Sequence, residues 1–204
     1  ISPMGQVSSL LSTFQHTKTT YEALNDIMNL PVEHPQGKKF VTRPEYKGKI
    51  DFRNVNFTYP NADKETLSNI SFSVESGEKV AIIGKIGSGK TTIQKLLVSL
   101  YHPNEGSILI DNIDIKQLDP SELRKNIAYV SQDVLLFDGT VKENIVYRTP
   151  NIDDEKILEA AKISGVLDFV NKHPKGFDMP VGERGSFLSG GQKQAIAIAR
   201  SILL

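Results

Sequence analysis

The chain has 204 residues, 39% of them hydrophobic and 24% charged, which predicts a soluble globular domain with one substantial core. Its 24 Lys and Arg equal its 24 Asp and Glu, so we do not expect a basic nucleic-acid-binding surface, and without cysteine no disulfide can form. No run approaches the roughly 18 apolar residues that span a bilayer, and the start shows no signal-peptide pattern. Because the chain begins at Ile1 rather than Met, we expect it to be part of a longer polypeptide.

The first predicted element is an amphipathic helix over residues 7–28, where apolar residues recur at helical spacing. Pro31 and Pro35 end the pattern. Two interpretations stay open: a surface helix packed on its own domain, or the cytoplasmic end of a transmembrane helix. The apolar stripe consists of Val7, Leu10, Leu11, Phe14, Tyr21, Leu24, Ile27 and Met28.

Several short strands are predicted after a polar linker at residues 36–48. Alternating apolar residues indicate a strand that begins at Ile50 and contains a bulge between Phe52 and Val55. The same alternation indicates strands at 70–74 and 106–111. Two short apolar runs, at 79–83 and 127–130, predict two further strands, the first of them buried.

Residues 84–91 read Gly-Lys-Ile-Gly-Ser-Gly-Lys-Thr and fit the phosphate-binding pattern G-x-x-x-x-G-K-[ST]. The run at 79–83 and the helical spacing of apolar residues in 91–100 supply the strand and the helix that the pattern needs. Glycines let backbone N–H groups form an anion nest at a helix N-terminus; an ordinary glycine-rich turn is the alternative. Lys90 would add positive charge at the β- and γ-phosphates, and the Thr91 hydroxyl would bind Mg²⁺. The candidate nucleotide-binding residues here are Gly84, Lys85, Ile86, Gly87, Ser88, Gly89, Lys90, Thr91 and Thr92.

Two helices are predicted further along the chain, on either side of a loop-rich stretch at 172–190. The first covers residues 153–164, where Asp153, Asp154 and Glu155 suit the positive end of a helix dipole. Residues 195–199 alternate Ala and Ile, as a strand would. We predict a helix there because alanine has the highest helix propensity and the apolar residues share a helical face.

Residues 188–192 read Leu-Ser-Gly-Gly-Gln at the start of this last helix. We expect a second phosphate site there, because the Ser189 hydroxyl and the N–H groups of Gly190 and Gly191 lie at a helix N-terminus. A glycine-rich helix entry without a ligand is the alternative. The string resembles the signature motif of the ATP-binding cassette (ABC) family. In that family the phosphate belongs to ATP held by the other subunit, and Gln192 falls within the same motif.

Other segments resemble further landmarks of the ABC family, in the same order along the chain. Tyr59 stands where the family stacks an aromatic ring on adenine, and Gln132 stands at the Q-loop glutamine. Residues 182–185, Gly-Glu-Arg-Gly, resemble the loop that exporters place against their membrane domain. The resemblance covers nearly all of residues 40–204, and it implies ATP and Mg²⁺ as ligands.

The resemblance implies residue roles and a fold. Catalysis falls to Lys90 and Gln132, and metal binding falls to Thr91 and Gln132. The implied fold is α/β: a P-loop NTPase core of the ABC ATPase type with an antiparallel β subdomain and a helical subdomain, preceded by an N-terminal helix. Residues 1–34 would be the cytoplasmic end of a transmembrane helix and a linker helix, since stand-alone cassette ATPases begin close to their first strand. Residues 35–204 would be the ATP-binding domain.

Part of the family's catalytic apparatus has no counterpart in the sequence. Family members follow the signature helix with a hydrophobic strand ending in Asp-Glu (Walker B), a D-loop and a histidine (H-loop), whereas no Asp, Glu or His follows Gln192 here. We therefore expect the domain to be incomplete at its C-terminal side and inactive as an ATPase on its own. The apolar run 108–110 followed by Asp111 is an alternative Mg²⁺ site, although the family has a peripheral hairpin there.

The resemblance is strongest to the type I secretion exporters of bacteria. It implies a domain that couples ATP binding and hydrolysis to export of a substrate, which we expect to be a protein. The implied partners are a second copy in a head-to-tail ATP sandwich, a transmembrane domain of the same polypeptide, a periplasmic adaptor and an outer-membrane channel, with no nucleic acid. The implied location is the cytoplasmic face of the bacterial inner membrane. The alternatives are a non-hydrolysing nucleotide-binding module and a soluble cassette ATPase of translation or DNA repair.

Overall fold

The computed structural model describes residues 3–30, 32–33, 35, 37, 39–42, 45–147, 149 and 151–203. Ile1 and Pro31, on which parts of the sequence predictions fall, lie outside the described residues. The contacts divide the chain into two compact units, residues 1–39 and residues 40–204. Among the described residues, no helix combines the length and the apolar character needed to cross a membrane.

The first unit contains the predicted N-terminal helix, α1 (Pro3–Met28). Its apolar stripe is exposed, because each of the eight stripe side chains keeps between 56% and 75% of its surface accessible. Fully burying an apolar side chain of this size contributes about 1.5–3 kcal/mol. The helix therefore has a large hydrophobic face that no described residue of its own unit covers.

The second unit contains a four-stranded antiparallel sheet in the order β2-β1-β3-β4. The predicted bulge in β1 is confirmed, because the pairing register shifts between Phe52 and Val55. Asn54, inside the bulge, has a φ of 48°. An inserted residue re-aims the side chains that follow it, so both Phe52 and Val55 are buried. The strands are β1 (Ile50–Phe57), β2 (Leu67–Val74), β3 (Glu105–Ile110) and β4 (Ile113–Asp114).

The helices predicted at 91–100, 153–164 and 195–199 are all present in the second unit. The last of them forms despite its alternating Ala-Ile sequence, because Ile196 and Ala199 lie three residues apart on one buried helical face. The helices of this unit are α2 (Lys90–Leu97), α3 (Pro120–Asn126), α4 (Val141–Ile145), α5 (Asp154–Ser164), α6 (Leu167–Val170) and α7 (Gly190–Ile202).

Two hydrophobic cores organise the second unit. The sheet core is formed by β1, β2 and β3 and includes Leu96 of α2, so the helix after the phosphate-binding pattern is fixed to the sheet. The helical core is formed around α4, α5, α6 and α7 and includes Ile196 and Ala199. These two cores correspond to the antiparallel β subdomain and the helical subdomain that the sequence predicted.

Two strand predictions are wrong. Residues 79–83 and 127–130 carry no strand pairing, and the described sheet is antiparallel. Val80, Ile82 and Ile83 are 51%, 45% and 93% exposed. An apolar run becomes a strand only when a neighbouring strand satisfies its backbone N–H and C=O groups, and no described segment pairs with either run. The described sheet is therefore only the antiparallel part of the predicted fold.

Candidate nucleotide-binding site

The phosphate-binding loop ends in two glycines whose conformation other residues avoid. Gly87 and Gly89 have φ values of 80° and 85°, in the left-handed region where glycine carries no steric cost. A Cβ atom on Gly89 would also lie 2.5 Å from Leu67 Cδ2 and 3.1 Å from the Thr66 carbonyl oxygen. The sheet core therefore dictates glycine at position 89, where α2 begins.

Lys90 folds back over this loop. Its ammonium donates hydrogen bonds to the carbonyl oxygens of Gly84 at 2.9 Å and Lys85 at 2.7 Å. Ser88 Oγ lies 3.4 Å from the same nitrogen. The positive charge therefore lies at the mouth of the loop, beside the start of α2, where an anion on the helix N-terminus would meet it.

The loop borders two cavities that share Lys90 and Thr91. The smaller cavity, of about 270 Å³, is lined by Tyr59, Thr66 and residues 87–92. The larger cavity, of about 780 Å³, adds Gln132 and Asp133 to Lys90 and Thr91. The structure thus brings Tyr59, Lys90, Thr91, Thr92 and Gln132 to one region.

The first part of the loop lies outside these cavities. Gly84, Lys85 and Ile86 line neither of them, and Ile86 is fully exposed. Only the second half of the loop, residues 87–92, faces the space beside Tyr59. Lys85 and Ile86 therefore do not border the space beside Tyr59 in this structure.

Tyr59 lies beyond the end of β1 and is half-buried. Its hydroxyl lies 3.0 Å from Thr92 Oγ1. Its ring makes edge contacts with Phe57 and Tyr101, at centroid distances of 4.9 and 5.1 Å. The ring is thus fixed beside the loop, although Tyr59 and Gly87 are far apart in the sequence.

The donor set fits Mg²⁺, which prefers oxygen ligands and is usually held by few protein groups together with substrate phosphates. Thr91, which carries a hydroxyl, and Gln132, which carries a carboxamide oxygen, line the same cavity. Within the described part of the chain, no group of three or more His, Cys, Asp or Glu is arranged to hold a metal. An ion here would therefore depend on phosphate oxygens as well as on these two residues.

Asp111 is a structural residue, so the alternative Mg²⁺ site is not supported. Its side chain accepts hydrogen bonds from the backbone N–H groups of Lys47 at 2.8 Å and Lys49 at 3.0 Å. The residue is 8% exposed and begins the turn between β3 and β4, with a φ of 50°. Its carboxylate fixes the chain that enters β1.

The signature motif forms the N-terminal cap of α7. Ser189 Oγ accepts a hydrogen bond from the Gln192 N–H at 3.3 Å, and Gln192 Oε1 accepts one from the Ser189 N–H at 2.8 Å. This reciprocal pair is a capping box. The Gln192 side chain is thus occupied within the helix start, whereas the Ser189 hydroxyl acts as acceptor and keeps its proton to donate.

No described residue packs closely enough on the two glycines of the signature motif to require glycine there. Gly190 and Gly191 are helical and exposed, and a Cβ atom built on either would meet nothing within 4 Å. Glycine in a helix costs about 1 kcal/mol relative to alanine. The described residues therefore leave open space in front of the start of α7.

The two glycine motifs do not share a site. The cavities that contain residues 87–92 include no residue of 188–192. Gln192 instead lines a separate cavity of about 240 Å³ with Phe169, His173 and Met179. Within the described residues, each motif faces its own space.

Arg200 was missed by the sequence analysis, although it connects α7 to the chain that follows Gln132. Its guanidinium donates to the Asn144 backbone oxygen, to Asn144 Oδ1 at 2.7 Å and to the Leu135 carbonyl at 3.1 Å. It also faces the stacked rings of Phe137 and Tyr147, whose centroids are 4.4 Å apart. Burial lowers the pKa of the guanidinium from its ordinary value. The only sequence signal was a lone cation near the end of an Ala- and Ile-rich helix.

The loop at 182–185 is fixed to the same helix. Arg184 has the left-handed values φ 51° and ψ 26°, which are unusual for a residue with a side chain. Its carbonyl oxygen accepts a hydrogen bond from Lys193 Nζ of α7 at 3.1 Å. A Cβ atom on Gly185 would come within 3.0 Å of Leu136 Cδ1 and Lys193 Cε. The loop is therefore in direct contact with the helix that carries the signature motif.

The regions of the chain that match known proteins include both glycine motifs. Residues 67–204 match the family model for ABC transporters. The leukotoxin translocation ATP-binding proteins LktB of Mannheimia haemolytica and Bibersteinia trehalosi are 39% identical to the chain over 203 residues. The match covers 100% of this chain, which spans 28% of the length of these curated relatives.

A solved structure agrees with the sequence matches. A bacterial Atm1-family ABC exporter with ATP bound aligns with a TM-score of 0.81 and 34% identity, over 98% of this chain and 35% of the exporter chain. The family match spans the phosphate-binding loop, Gln132 and the signature motif in one continuous stretch. The chain therefore belongs to the ABC transporter family and carries its ATP-binding domain in the exporter form.

Proposed function

We propose that the chain is the ATP-binding domain of an ABC exporter of the type I secretion kind, which couples ATP binding and hydrolysis to the export of a protein. The relatives named for leukotoxin translocation support the protein substrate. One observation carries the proposal: Gly190 and Gly191 are exposed and no described residue packs against them, as expected for a motif that meets ATP on another subunit.

The phosphates of ATP bind at residues 84–92 in this proposal. Free N–H groups at the start of α2 and the Lys90 ammonium, at the mouth of the loop, offset the charge of the triphosphate. Lys90 then exchanges its hydrogen bonds to the loop carbonyls for bonds to phosphate oxygens. Tyr59, which borders the same cavity, stacks on the adenine.

The proposed catalytic residues are Lys90 and Gln132. Lys90 stabilises negative charge on the phosphate oxygens as it develops. Gln132 and Thr91 would hold Mg²⁺ through their side-chain oxygens, since both residues line the larger cavity. The ion would supply positive charge that offsets the charge of the phosphates.

The signature motif serves the nucleotide of a second copy. Two copies related by a two-fold axis would place Ser189, Gly190, Gly191 and Gln192 of each against the ATP of the other, because such an interface is self-complementary. The Ser189 hydroxyl then donates its free proton to a phosphate oxygen. The open space before Gly191 supports this close approach.

The remaining partners follow from the exporter assignment. We infer that residues 1–34 are the cytoplasmic end of a transmembrane helix and a linker helix, and that residues 35–204 are the ATP-binding domain. The exposed apolar face of α1 supports contact with a transmembrane domain of the same polypeptide. The location is then the cytoplasmic face of a bacterial inner membrane, and a periplasmic adaptor and an outer-membrane channel complete the pathway.

Light scattering of the purified protein with and without ATP tests the shared site. We expect ATP to drive self-association of the wild type, and Ser189→Ala to weaken that association while ATP binding by the monomer is retained. Loss of the cap itself costs about 0.5–2 kcal/mol. Thr140→Ala is the matched control, because Thr140 and Glu143 form the same kind of capping box at α4, outside residues 188–192.

The control separates lost stability from lost recognition. Thr140→Ala should reduce the free energy of unfolding and leave ATP-driven association intact. If Ser189→Ala instead abolished ATP binding by the monomer, both glycine motifs would serve one nucleotide and the proposal would be wrong.

A further inference from the structure

The ammonium of Lys95 lies over the ring of Tyr59. Its nitrogen is 5.4 Å from the ring centroid, within the roughly 6 Å at which a cation is attracted to the negative face of an aromatic ring. No carboxylate of the described residues lies within ion-pair distance of this ammonium. The ring is therefore the electrostatic partner that the described residues give to Lys95.

Lys95 belongs to the helix that starts at the phosphate-binding loop. It lies in the last turn of α2, five positions after Lys90, which corresponds to about 7.5 Å along the helix axis. Lys95 lines the larger cavity but not the smaller one, whereas Tyr59 lines the smaller cavity but not the larger one. The ammonium therefore approaches the ring while Lys95 stays outside the cavity in which Tyr59 would stack on adenine.

We propose that Lys95 strengthens base recognition through the Tyr59 ring: its ammonium draws ring electrons toward itself, so that the side of the ring open to the smaller cavity stacks more strongly on adenine. This inference rests on the proposed ATP-binding function. It gives α2 two separate tasks, since its first residues face the phosphates and its last turn acts on the base.

The charge distribution of an aromatic ring is the physical reason for this effect. Both faces of the ring are negative, so two rings stacked directly face to face repel each other electrostatically. A cation over one face attracts the π electrons, which leaves the other face less negative toward a stacked base. Lys95 therefore contributes to ATP affinity without touching the nucleotide, and the contribution depends on its charge.

Calorimetric titration with two probes tests the inference. ATP has a base, whereas inorganic tripolyphosphate presents only the phosphates. At about 0.15 M salt, where exposed charges act over only about 8 Å, we expect Lys95→Met to weaken ATP binding about 2- to 5-fold, as for the loss of one cation–π contact. Tripolyphosphate binding should stay unchanged. Lys95→Gln should lose as much as Lys95→Met, and Lys95→Arg, which keeps the charge, should bind ATP as the wild type does.

A matched control separates this effect from helix stability. A cation in the last turn of a helix also interacts favourably with the helix dipole. Lys162 has the corresponding place in the last turn of α5 and lines neither cavity. Lys162→Met removes the same charge from the same kind of position, so it should leave the binding of both probes unchanged.

Variants of Tyr59 show whether the effect passes through the ring. In a Tyr59→Ala background, Lys95→Met should weaken ATP binding no further, because both changes remove the same interaction. In a Tyr59→Phe background, which keeps the ring, the loss caused by Lys95→Met should persist. Thermal unfolding of each variant shows whether the fold is retained.

Three outcomes would overturn the inference with the proposed function intact. Equal weakening of ATP and tripolyphosphate by Lys95→Met would assign the ammonium to the phosphates. An undiminished loss in the Tyr59→Ala background would show that the ring does not transmit the effect. Unchanged or tighter ATP binding by Lys95→Met would show that the ammonium does not support the base.

The wild type separates a failure of the proposed function from a failure of this inference. A wild-type protein that binds tripolyphosphate but not ATP, or neither probe, would overturn the proposed function and this inference with it.

Discussion

The starts of α2 and α7 use glycine in opposite ways. At α2, Gly89 has a φ of 85° and a Cβ atom there would overlap Leu67, so the fold itself demands glycine. At α7, Gly190 and Gly191 have helical geometry and open space around them. Alanine would suit both positions better as far as this chain alone is concerned.

This difference shows that glycine can be needed for two reasons. A glycine that the fold requires is needed for the conformation and packing of the chain's own backbone. A glycine that no described residue requires, at an exposed helix start, leaves room for a molecule that comes close to it. In the proposed function, the first motif therefore acts within one chain, and the second acts only in an assembly of two copies.

The largest expected effect is on ATP binding through the first motif. Lys90→Ala removes a charge beside the bound phosphates, which costs up to about 4 kcal/mol, or about a thousand-fold in affinity. Tyr59→Ala should cost less, about 1–3 kcal/mol. Calorimetry with ATP measures both. Lys85→Ala is the control, because that side chain lines neither cavity.

Equal losses from Lys90→Ala and Lys85→Ala would contradict the assigned role of Lys90. They would indicate a general effect of surface charge on the approach of ATP. An equal loss from Lys90→Ala and Tyr59→Ala would contradict the ranking of charge over stacking.

The next effect concerns stability at the start of α2. Gly89→Ala combines a left-handed backbone, which costs about 1–2 kcal/mol, with overlap against Leu67, which costs about 1–3 kcal/mol. We expect the free energy of unfolding to fall by about 2–5 kcal/mol, measured by urea denaturation. Gly87→Ala separates the two causes, because Gly87 has a φ of 80° but nothing within 4 Å of its Cβ position. Gly87→Ala should therefore lower the free energy of unfolding only by the cost of the left-handed backbone.

The opposite sign is expected at the start of α7. Gly191→Ala should raise the free energy of unfolding by up to about 1 kcal/mol, because alanine favours the helix. The same substitution should weaken ATP-driven association, since its methyl group occupies the space that a partner's nucleotide would enter. Urea denaturation and light scattering measure the two effects. If Gly191→Ala instead lowered the free energy of unfolding, the fold would require glycine at the start of α7 as it does at the start of α2.

The smallest expected effect is a pH dependence of stability, which the capping box at α4 should show and the capping box at α7 should not. The backbone N–H and the hydroxyl of Thr140 lower the pKa of Glu143 from its ordinary value, whereas the box at α7 uses the neutral Gln192. A carboxyl whose pKa is lowered by folding contributes stability above its unfolded pKa, and that contribution disappears as the pH falls through the folded pKa. Wild-type stability should therefore decline on acidification through this range, and Glu143→Gln should reduce the decline. If the wild type and Glu143→Gln lost stability equally as the pH falls, the role given to Glu143 would be contradicted.

Local patterns predicted most of the fold. The bulge in β1 followed from the spacing of Phe52 and Val55, and α7 followed from the propensity of alanine against a misleading alternation. The runs at 79–83 and 127–130 have equally clear apolar patterns but no strand pairing. The difference is that helices satisfy their own backbone, whereas strands depend on a distant partner.

A single sequence can point to the candidate site only where the residues of a motif follow one another. Glycines, Lys90 and Thr91 follow one another in the sequence, so one pattern identifies them together. The bond between Tyr59 and Thr92 and the contacts of Arg200 with Asn144 join residues 33 and 56 positions apart. No periodicity in a single sequence encodes such pairs, because they are set by how the sheet core and the helical core fold.

The run at 79–83 also bears on how the purified protein behaves. Val80, Ile82 and Ile83 combine high β-propensity with exposure, which makes the segment a template for intermolecular strand pairing. Lys79 and Lys85 flank it as charged gatekeepers of the kind that oppose aggregation. Association through this segment would grow with protein concentration and need no nucleotide. Salt screens the repulsion between the flanking lysine charges of neighbouring molecules, so low ionic strength should keep the protein dispersed.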